Sequence, residues 1–420
     1  MTLVAKRKRE LYYGGDNLAV MRGLDSGMVD LIYLDPPFNS KSFYRGAMNS
    51  VSEKHQFKDT WKMSDINADE LNDLKACAFN VHHLISTLGV IHGETWQAYL
   101  TFMSVRLLEM RRLLKDTGSI YLHCDATMSH PLKLIMDCIF GARNFRNEIA
   151  WCYTGPGNTK RYFPRKHDRL LYYVKSESEP YCFNRDEVRI PYAKLKTEKT
   201  KGIFKSEATL NKQGKIPEDW WEESRDGMTP VGRIKEERVG WATQKPLSLL
   251  NRIIKVSSNR GDLVLDPVCG CTTACVAAEN LGRAWIGIDI DKESKKILLH
   301  RAKRESESLL ACKMIDASKT KLLPVRPEVQ MAKIPRSEWN QVKALLYEEQ
   351  NGKCAAAPLC TNMVPIEMME MDRKTSGKRG GQYVLGNVQL LCPRCNRIKG
   401  AKPMSALMKK LGQLSIPYDQ

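Results

Sequence analysis

Residues 30–40 read Asp30-Leu-Ile-Tyr-Leu-Asp-Pro-Pro-Phe-Asn-Ser40, and this stretch decides the architecture around it. Leu31–Leu34 is an uninterrupted apolar run, which is typical of a buried strand in a parallel sheet. Pro36 and Pro37 cannot donate backbone N–H groups to a neighbouring strand, so the strand is expected to end there. Asp35 then lies at the carboxyl end of a strand, where open α/β sheets hold their ligands.

The same strand end offers hydrogen-bond acceptors and an aromatic ring. Asp35 and the carbonyl of Pro36 can accept the two hydrogens of an exocyclic amine, and Phe38 can stack on the planar ring that carries it. The pattern is weak alone, because ordinary strand-ending turns also produce it. Its interpretation depends on a partner motif elsewhere in the chain.

That partner motif lies far downstream. Gly261–Ala278 reads as a strand, a turn of small residues and a helix, and Gly270 lets the backbone approach a ligand closely. Gly282–Asp289 is the next strand, and it ends in a carboxylate about 20 residues after the turn. A carboxylate in that place commonly binds ribose hydroxyls, so Asp289 is a candidate ribose-binding residue.

Between the two motifs, strand and helix patterns alternate, which predicts an α/β fold with a parallel sheet. Asn39–Trp61 is a polar loop beside the candidate site and is expected to be a mobile cover. Trp151–Gly240 mixes lysine and arginine with aromatic residues, a combination that suits contact with a nucleic-acid backbone and with bases. An irregular insertion without such a role is the alternative for this stretch.

The charge, the apolar runs and the cysteine content of the chain indicate which kinds of partner and compartment to expect. The formal charge is +18 and the sequence pI is about 9.3, which indicates a polyanion, most often nucleic acid. We find no run of about 18 apolar residues and no signal-peptide pattern, so we expect no membrane partner. Thirteen cysteines in a long chain fit a reducing cytoplasm with metal ligands or buried thiols better than a disulfide framework.

The motifs in chain order resemble the β class of DNA amino-methyltransferases. They are Asp-Pro-Pro-Phe, a long basic insertion, Thr243-Gln-Lys-Pro246, Asp266-Pro-Val-Cys-Gly270 and Trp285-Ile-Gly-Ile-Asp289. This resemblance implies a Rossmann-like methyltransferase sheet with permuted motif order, S-adenosylmethionine as cofactor, and methylation of adenine N6 or cytosine N4 in double-stranded DNA. The implied catalytic residues are Asp35, Pro36, Pro37 and Phe38, and the implied cofactor-binding residues are Asp16, Thr243, Gln244, Lys245, Asp266, Gly270 and Asp289.

The resemblance also carries alternatives. Aspartate as the first residue of Asp-Pro-Pro-Phe favours adenine N6, whereas serine there is commoner among cytosine N4 enzymes. Asp16 precedes a helix and could cap it rather than bind the cofactor. Thr272 stands where the family usually has a second glycine, and its Cβ is expected to crowd the turn and weaken cofactor binding. A catalytically impaired DNA-binding relative is therefore an open alternative.

A different motif lies near the carboxyl terminus. Cys354 and Cys360 form one pair, Cys392 and Cys395 form another, and two such pairs predict a structural zinc held by four thiolates. Leu385–Gly400 resembles the end of HNH nuclease domains, which implies a small ββα zinc module.

The nuclease signature of that family is broken here. The resemblance implies Asp-His on the first strand, with the histidine as general base, but this chain has Asp372-Arg373 and no histidine after His300. Arginine stays protonated and cannot accept a proton. We expect a DNA-binding appendage; a methyltransferase–nuclease fusion is the alternative. Its expected DNA contacts are Arg373, Lys374, Lys378, Arg379, Arg394, Arg397 and Lys399.

These interpretations give a domain plan: residues 1–305 as the methyltransferase domain, with target recognition at about 151–240, then 306–337 as a linker and 338–420 as the HNH-like zinc-binding module. The resemblance implies a bacterial or phage restriction-modification enzyme in the cytoplasm, associated with the nucleoid. Members of the family often dimerise, so a homodimer is one expected assembly. The recognition sequence has no readable code.

Overall fold

The computed structural model describes residues 10–155, 157, 159–192, 211–305, 309, 311–321, 323, 336, 339–377, 383 and 387–414. These residues form two compact units. The larger contains the described residues of 1–66 and 87–329, and the smaller contains those of 67–86 and 330–420. Within these ranges, no helix is both long enough and apolar enough to span a bilayer.

The larger unit is built on a sheet of nine strands, with a separate two-stranded hairpin (β3 and β4). The strands are β1 (Glu10–Gly14), β2 (Val29–Leu34), β3 (Phe43–Arg45), β4 (Gln56–Lys58), β5 (Leu114–Cys124), β6 (Phe145–Cys152), β7 (His167–Val174), β8 (Trp220–Glu222), β9 (Leu263–Asp266), β10 (Ala284–Asp289) and β11 (Lys313–Asp316). The order across the large sheet is β11-β1-β10-β9-β2-β5-β7-β6-β8. Strands β11 to β5 in this order run parallel, and β7 runs antiparallel to both of its neighbours.

Helices connect and cover the strands. In chain order, the helices up to residue 305 are α1 (Asn17–Gly23), α2 (Ala68–Cys77), α3 (Phe79–His92), α4 (Glu94–Leu113), α5 (Ser129–Phe140), α6 (Glu223–Asp226), α7 (Leu247–Ser257), α8 (Thr273–Asn280) and α9 (Lys292–Glu305). Of these, α2 and residues 79–86 of α3 belong to the smaller unit. The predicted α/β class with a Rossmann-like sheet is confirmed. The apolar run of β2 is buried from Leu31 to Leu34, as expected for a strand covered on both faces.

The register brings several strand ends to one edge. Gly14 of β1 pairs with Asp289 of β10, and Asp266 of β9 pairs with Gly287 of β10. Because parallel strands end on the same side, the carboxylates of Asp35, Asp266 and Asp289 come to the same edge of the sheet. The site residues from both halves of the sequence thus converge through sheet order rather than chain order.

Three strands lie where the sequence suggested other structure: β7 and β8 fall within the expected insertion, and β11 falls within the expected linker. His167–Val174 falls within the expected insertion, yet β7 is buried and lies between β5 and β6, because Leu170–Val174 is itself an apolar run. Lys313–Asp316 falls within the expected linker, yet β11 pairs with β1 at the sheet edge. An edge strand this short and polar carries no clear sequence pattern. Most of the remaining linker lies outside the described residues.

The smaller unit contains a ββα arrangement, as predicted for its HNH-like region. Besides α2 and the first residues of α3, its elements are α10 (Trp339–Glu349), β12 (Glu370–Arg373), β13 (Val388–Leu391), α11 (Pro393–Lys399) and α12 (Met404–Leu414). β12 and β13 pair antiparallel, and Met371 lies opposite Leu390. The four cysteines belong to the apolar core of this unit, together with Val388, Leu390 and Leu407.

Candidate active site and metal centre

A cavity of about 630 Å³ opens at the carboxyl edge of the large sheet. It brings together most of the residues implicated by the sequence: Asp16, Asp35, Pro36, Pro37, Phe38, Thr243, Gly270 and Asp289. A smaller adjoining cavity of about 50 Å³ adds Lys245 and Asp266. Gln244 lines neither cavity, because its amide accepts from the N–H of Val239 and donates to the carbonyl of Glu237.

Asp35 and Lys245 form an ion pair at the tip of β2. The distance from Lys245 Nζ to Asp35 Oδ2 is 2.6 Å. Burial alone would lower the pKa of Lys245, but the carboxylates of Asp35 and Asp168 outweigh it and raise the pKa, so the ammonium stays charged. The second oxygen, Asp35 Oδ1, is buried and has no hydrogen-bond partner among the described residues. One acceptor of the carboxylate is therefore fixed by the lysine, and the other is open.

Asp59 holds the backbone that follows the two prolines. Its carboxylate accepts from the N–H groups of Phe38, Asn39 and Ser40 at 3.1, 2.7 and 2.9 Å. Three N–H groups on one buried carboxylate fix the turn in a single conformation. The loop that carries Asp59 also forms the β3–β4 hairpin, so the segment expected to be a cover also supports the strand tip.

A buried polar network lies behind the Phe38 ring. His123, at the end of β5, is bonded through Nδ1 to the hydroxyl of Tyr33 at 3.0 Å and through Nε2 to Asp168 at 3.1 Å. Tyr153 donates to the other oxygen of Asp168. The rings of Phe38 and His123 are nearly parallel, with centroids 6.1 Å apart. Burial alone would raise the pKa of Asp168, but hydrogen bonding and charge from His123 outweigh it and lower the pKa.

Asp289 and Asp16 are two further carboxylates that line the cavity. Asp289 accepts from the N–H groups of Gly270 and Asp291, and burial raises the pKa of Asp289 to about 6. Asp16 caps α1 by accepting from the N–H of Ala19, pairs with Arg106, and also lines the cavity. The two readings of Asp16, as a helix cap and as a site residue, are thus compatible.

Two aromatic side chains that the sequence gave no reason to select also line the cavity. Trp241 stacks on His55, with ring centroids 3.3 Å apart, and His55 Nδ1 lies 2.5 Å from Asp291. Trp241 also approaches Gly270, where an added Cβ would lie 3.4 Å from the indole. Trp241 directly precedes Ala242-Thr-Gln-Lys245, so its position beside that motif is the one sequence signal that could have found it.

Thr272 adopts a conformation that rarely suits threonine. Its φ is 61°, in the left-handed region, and its hydroxyl is buried without a hydrogen-bond partner among the described residues. A β-branched residue is strained there. Thr272 lines neither cavity, so the effect of replacing glycine is backbone strain in the turn rather than obstruction of the site.

The four cysteines of the smaller unit form a compact cluster. The sulfur atoms of Cys354, Cys360, Cys392 and Cys395 lie within 4.8 Å of one another, and all four residues are buried. Four thiolates bound to one zinc at 2.3 Å would lie about 3.8 Å apart, so the observed cluster needs little movement to hold the ion. Asn362 donates to the sulfur of Cys392, as a residue that orients a ligand would.

Comparison with known proteins decides the family. Residues 29–300 match a family model described as DNA methylase, whose name covers the N6 and N4 enzymes. The chain belongs to this DNA methylase family. Residues 358–402 of this DNA methylase match a second family model, described as HNH endonuclease. The expected combination of an amino-methyltransferase with an HNH-like module is confirmed.

Named relatives of this DNA methylase come from bacteria. It is 34% identical over 212 residues to type II methyltransferase M.HpaI of Haemophilus parainfluenzae, covering 49% of this chain and 62% of that protein. It is 28% identical over 293 residues to DNA adenine methyltransferase YhdJ of Escherichia coli K12, covering 68% and 80%. The solved M1.HpyAVI–SAM complex is 18% identical with a TM-score of 0.39, covering 71% of this chain and 98% of that one.

Proposed function

We propose that this DNA methylase transfers a methyl group from S-adenosylmethionine to the exocyclic amine of a base flipped out of double-stranded DNA, with adenine N6 as the target. The open oxygen of Asp35 carries the proposal. Asp35 Oδ1 is a buried acceptor beside a large cavity, and Lys245 on Oδ2 keeps the carboxylate oriented. A buried acceptor without a donor is costly unless a ligand supplies one.

The residues around the cavity fit the cofactor. Asp289 offers carboxylate oxygens for ribose hydroxyls, and Asp16 is a second carboxylate that lines the same cavity. The volume of about 630 Å³ lies in the usual range for a ligand of this size. When bound, S-adenosylmethionine supplies a methyl group on a positively charged sulfur. The proposed cofactor-binding residues are those the sequence implicated, except that Gln244 supports the loop and Lys245 holds the carboxylate of Asp35.

The chemistry assigned to the protein is positioning. Asp35 Oδ1 and the carbonyl of Pro36 accept the two amine hydrogens, which draws the nitrogen lone pair out of conjugation with the ring. Phe38 stacks on the base, and the backbone that carries Phe38 is fixed by Asp59. As the nitrogen–methyl bond forms and the sulfur–methyl bond breaks to leave a neutral thioether, the surplus amine proton would pass to Asp35 Oδ1 and from there to solvent. No nucleophilic side chain is required.

Adenine rather than cytosine is favoured by the aspartate at position 35 and by relatives such as the Escherichia coli protein, which is named an adenine methyltransferase. Cytosine N4 is the alternative target. A binding protein without activity is the second candidate function, and the strained turn at Thr272 favours it. A homodimer and a cytoplasmic location stay predictions.

Nucleoside mass spectrometry tests the proposal directly. Unmethylated DNA is incubated with the protein and S-adenosylmethionine, and N6-methyladenine is expected. Detection of N4-methylcytosine would support the methyl transfer but identify cytosine, not adenine, as the target base. If no methylated nucleoside appears on several DNAs, calorimetry with S-adenosylmethionine separates the remaining cases: binding without methylation supports the inactive relative, and no binding contradicts the cofactor assignment.

A further inference from the structure

A buried ion pair joins β12 and α11 in the smaller unit. The Lys399 side chain is fully buried, and its Nζ lies 3.0 Å from Asp372 Oδ2 and 3.2 Å from Asp372 Oδ1. It also donates to the carbonyl of Arg373 at 2.9 Å, and Gln389 donates to Asp372 Oδ2 at 2.8 Å. Both oxygens of Asp372 are therefore engaged. Lys399 is thus not an exposed DNA contact, which corrects the expectation from sequence.

The pair removes the means of holding a catalytic cation. Mg²⁺ and similar ions bind carboxylate oxygens, and the Lys399 ammonium already brings a positive charge to those of Asp372. The nearby Asn396 donates its amide to Glu370. Among the described residues, the four-cysteine cluster is the only group of three or more potential His, Cys, Asp or Glu ligands close enough to share a metal.

The HNH-like region also lacks a histidine that could act as general base. The sequence has no histidine after His300, and the residue that follows Asp372 is an arginine. The Arg373 guanidinium lies over the ring of Tyr383, with its central carbon 4.6 Å from the centroid. Hydrolysis of a phosphodiester needs a base or a metal-bound hydroxide, and residues 358–402, which carry the HNH-like region, contain no histidine to act as that base.

The exposed face of the same helix carries positive charge. Arg394 and Arg397 are three residues apart on α11, so they share a face, and both are exposed. Lys402 is exposed just beyond the helix end. Because Lys399 neutralises Asp372 from the inside, that carboxylate does not oppose the approach of a phosphate. Lys378 and Arg379, also expected to contact DNA, lie outside the described residues.

From this arrangement we propose that the smaller unit binds the phosphate backbone of duplex DNA through Arg394, Arg397 and Lys402, needs no divalent cation to do so, and does not cut the strand. The ammonium of Lys399 occupies the place beside Asp372 that a divalent cation would otherwise take. The proposal stands independently of the methylation reaction, since it concerns a different unit and a different set of residues.

Plasmid integrity tests the absence of cleavage. The zinc-loaded full-length protein is incubated with supercoiled plasmid in Mg²⁺ or Mn²⁺, without a chelator that would remove structural zinc. The plasmid is expected to stay supercoiled, and Mg²⁺ is expected not to increase the affinity for duplex DNA, because it acts only as a competing counterion. Metal-dependent nicking that disappears in Asp372→Ala would overturn the proposal.

Salt-dependent binding tests the surface. Removing two phosphate contacts in the double variant Arg394→Ala/Arg397→Ala should make the slope of log affinity against log salt shallower by about 2. The control Lys343→Ala/Lys353→Ala removes the same charge from another part of the unit and should leave the slope almost unchanged. Equal loss in both variants, or tighter binding of duplex RNA than of duplex DNA, would overturn the assignment. Calorimetry should show unaltered S-adenosylmethionine affinity in the arginine variant.

Discussion

Asp35 and Asp372 offer a comparison within one chain. Each is a carboxylate at or near the end of a strand, and each is paired with a buried lysine. Asp35 gives one oxygen to Lys245 and keeps the other open beside a cavity, whereas both oxygens of Asp372 are bonded to Lys399 and Gln389. The pair of Asp35 and Lys245 therefore leaves an acceptor available to a ligand, whereas the pair of Asp372 and Lys399 leaves none. The difference lies in a single unsatisfied acceptor.

The largest expected effect comes from removing the open acceptor. Asp35→Asn replaces one carboxylate oxygen by an amide donor, and we expect kcat for DNA methylation to fall by about 10³-fold. The matched change Asp372→Asn should leave kcat unaltered. Radiolabelled methyl transfer at saturating DNA measures both. Similar losses in the two variants would show that the comparison is mistaken.

The second effect concerns stability. Lys399→Met leaves Asp372 buried without its counter-charge, and we expect the free energy of unfolding of the smaller unit to fall by about 3 kcal/mol. Replacing both partners, as in Lys399→Met/Asp372→Leu, should recover most of that loss because no charge is left unpaired. Urea unfolding of the zinc-loaded protein provides the measurement. If the double variant does not regain stability, the pair contributes more to the free energy of unfolding than charge compensation alone.

Asp289 adds a third carboxylate to the comparison. It accepts hydrogen bonds from backbone N–H groups and forms no pair with a lysine among the described residues. Burial raises the pKa of Asp289 to about 6, so the carboxylate is ionised above that pH and protonated below it. Protonation removes an acceptor for a ribose hydroxyl. We therefore expect S-adenosylmethionine affinity to fall as the pH drops through 6, by up to about tenfold per pH unit. Calorimetry should show this step in the native protein and not in Asp289→Asn.

The smallest expected effect is at Thr272. Thr272→Gly removes the strain of a β-branched residue at positive φ, and we expect the free energy of unfolding to rise by about 1 kcal/mol, with tighter cofactor binding. Thr272→Ala removes the unpaired hydroxyl but keeps the Cβ, so it should recover less. Thermal unfolding with and without S-adenosylmethionine separates the two contributions. Greater stability in the alanine variant would assign the cost to the hydroxyl.

The sequence predicted the fold and the candidate site correctly where a local pattern of residues determines the local structure. The apolar run before Asp35, the two prolines and the small-residue turn at Gly270 each determine backbone geometry within a few residues, and the cysteine spacing indicated a cluster that the fold assembles. The convergence of Asp35 and Asp289 on one cavity followed from strand order in a parallel sheet.

Pairings between distant residues were not predictable in this way. Lys245 lies 210 positions from Asp35, and Lys399 lies 27 positions from Asp372, and neither separation follows a helical or strand period. Lys399 in particular read as a surface charge, because only the fold shows that its helix buries that face. His123 lies at the end of β5, and its bond to Asp168 required the antiparallel placement of β7.

The support that Asp59 gives to the strand tip means that the catalytic motif is not self-sufficient. Its shape depends on a residue 21 positions beyond Phe38 that belongs to no motif. During divergence of such proteins, a change at position 59 could silence the site while Asp-Pro-Pro-Phe remained intact. A protein that retains Asp-Pro-Pro-Phe therefore does not necessarily retain the activity. A motif transferred into another protein would also need a carboxylate in the position of Asp59.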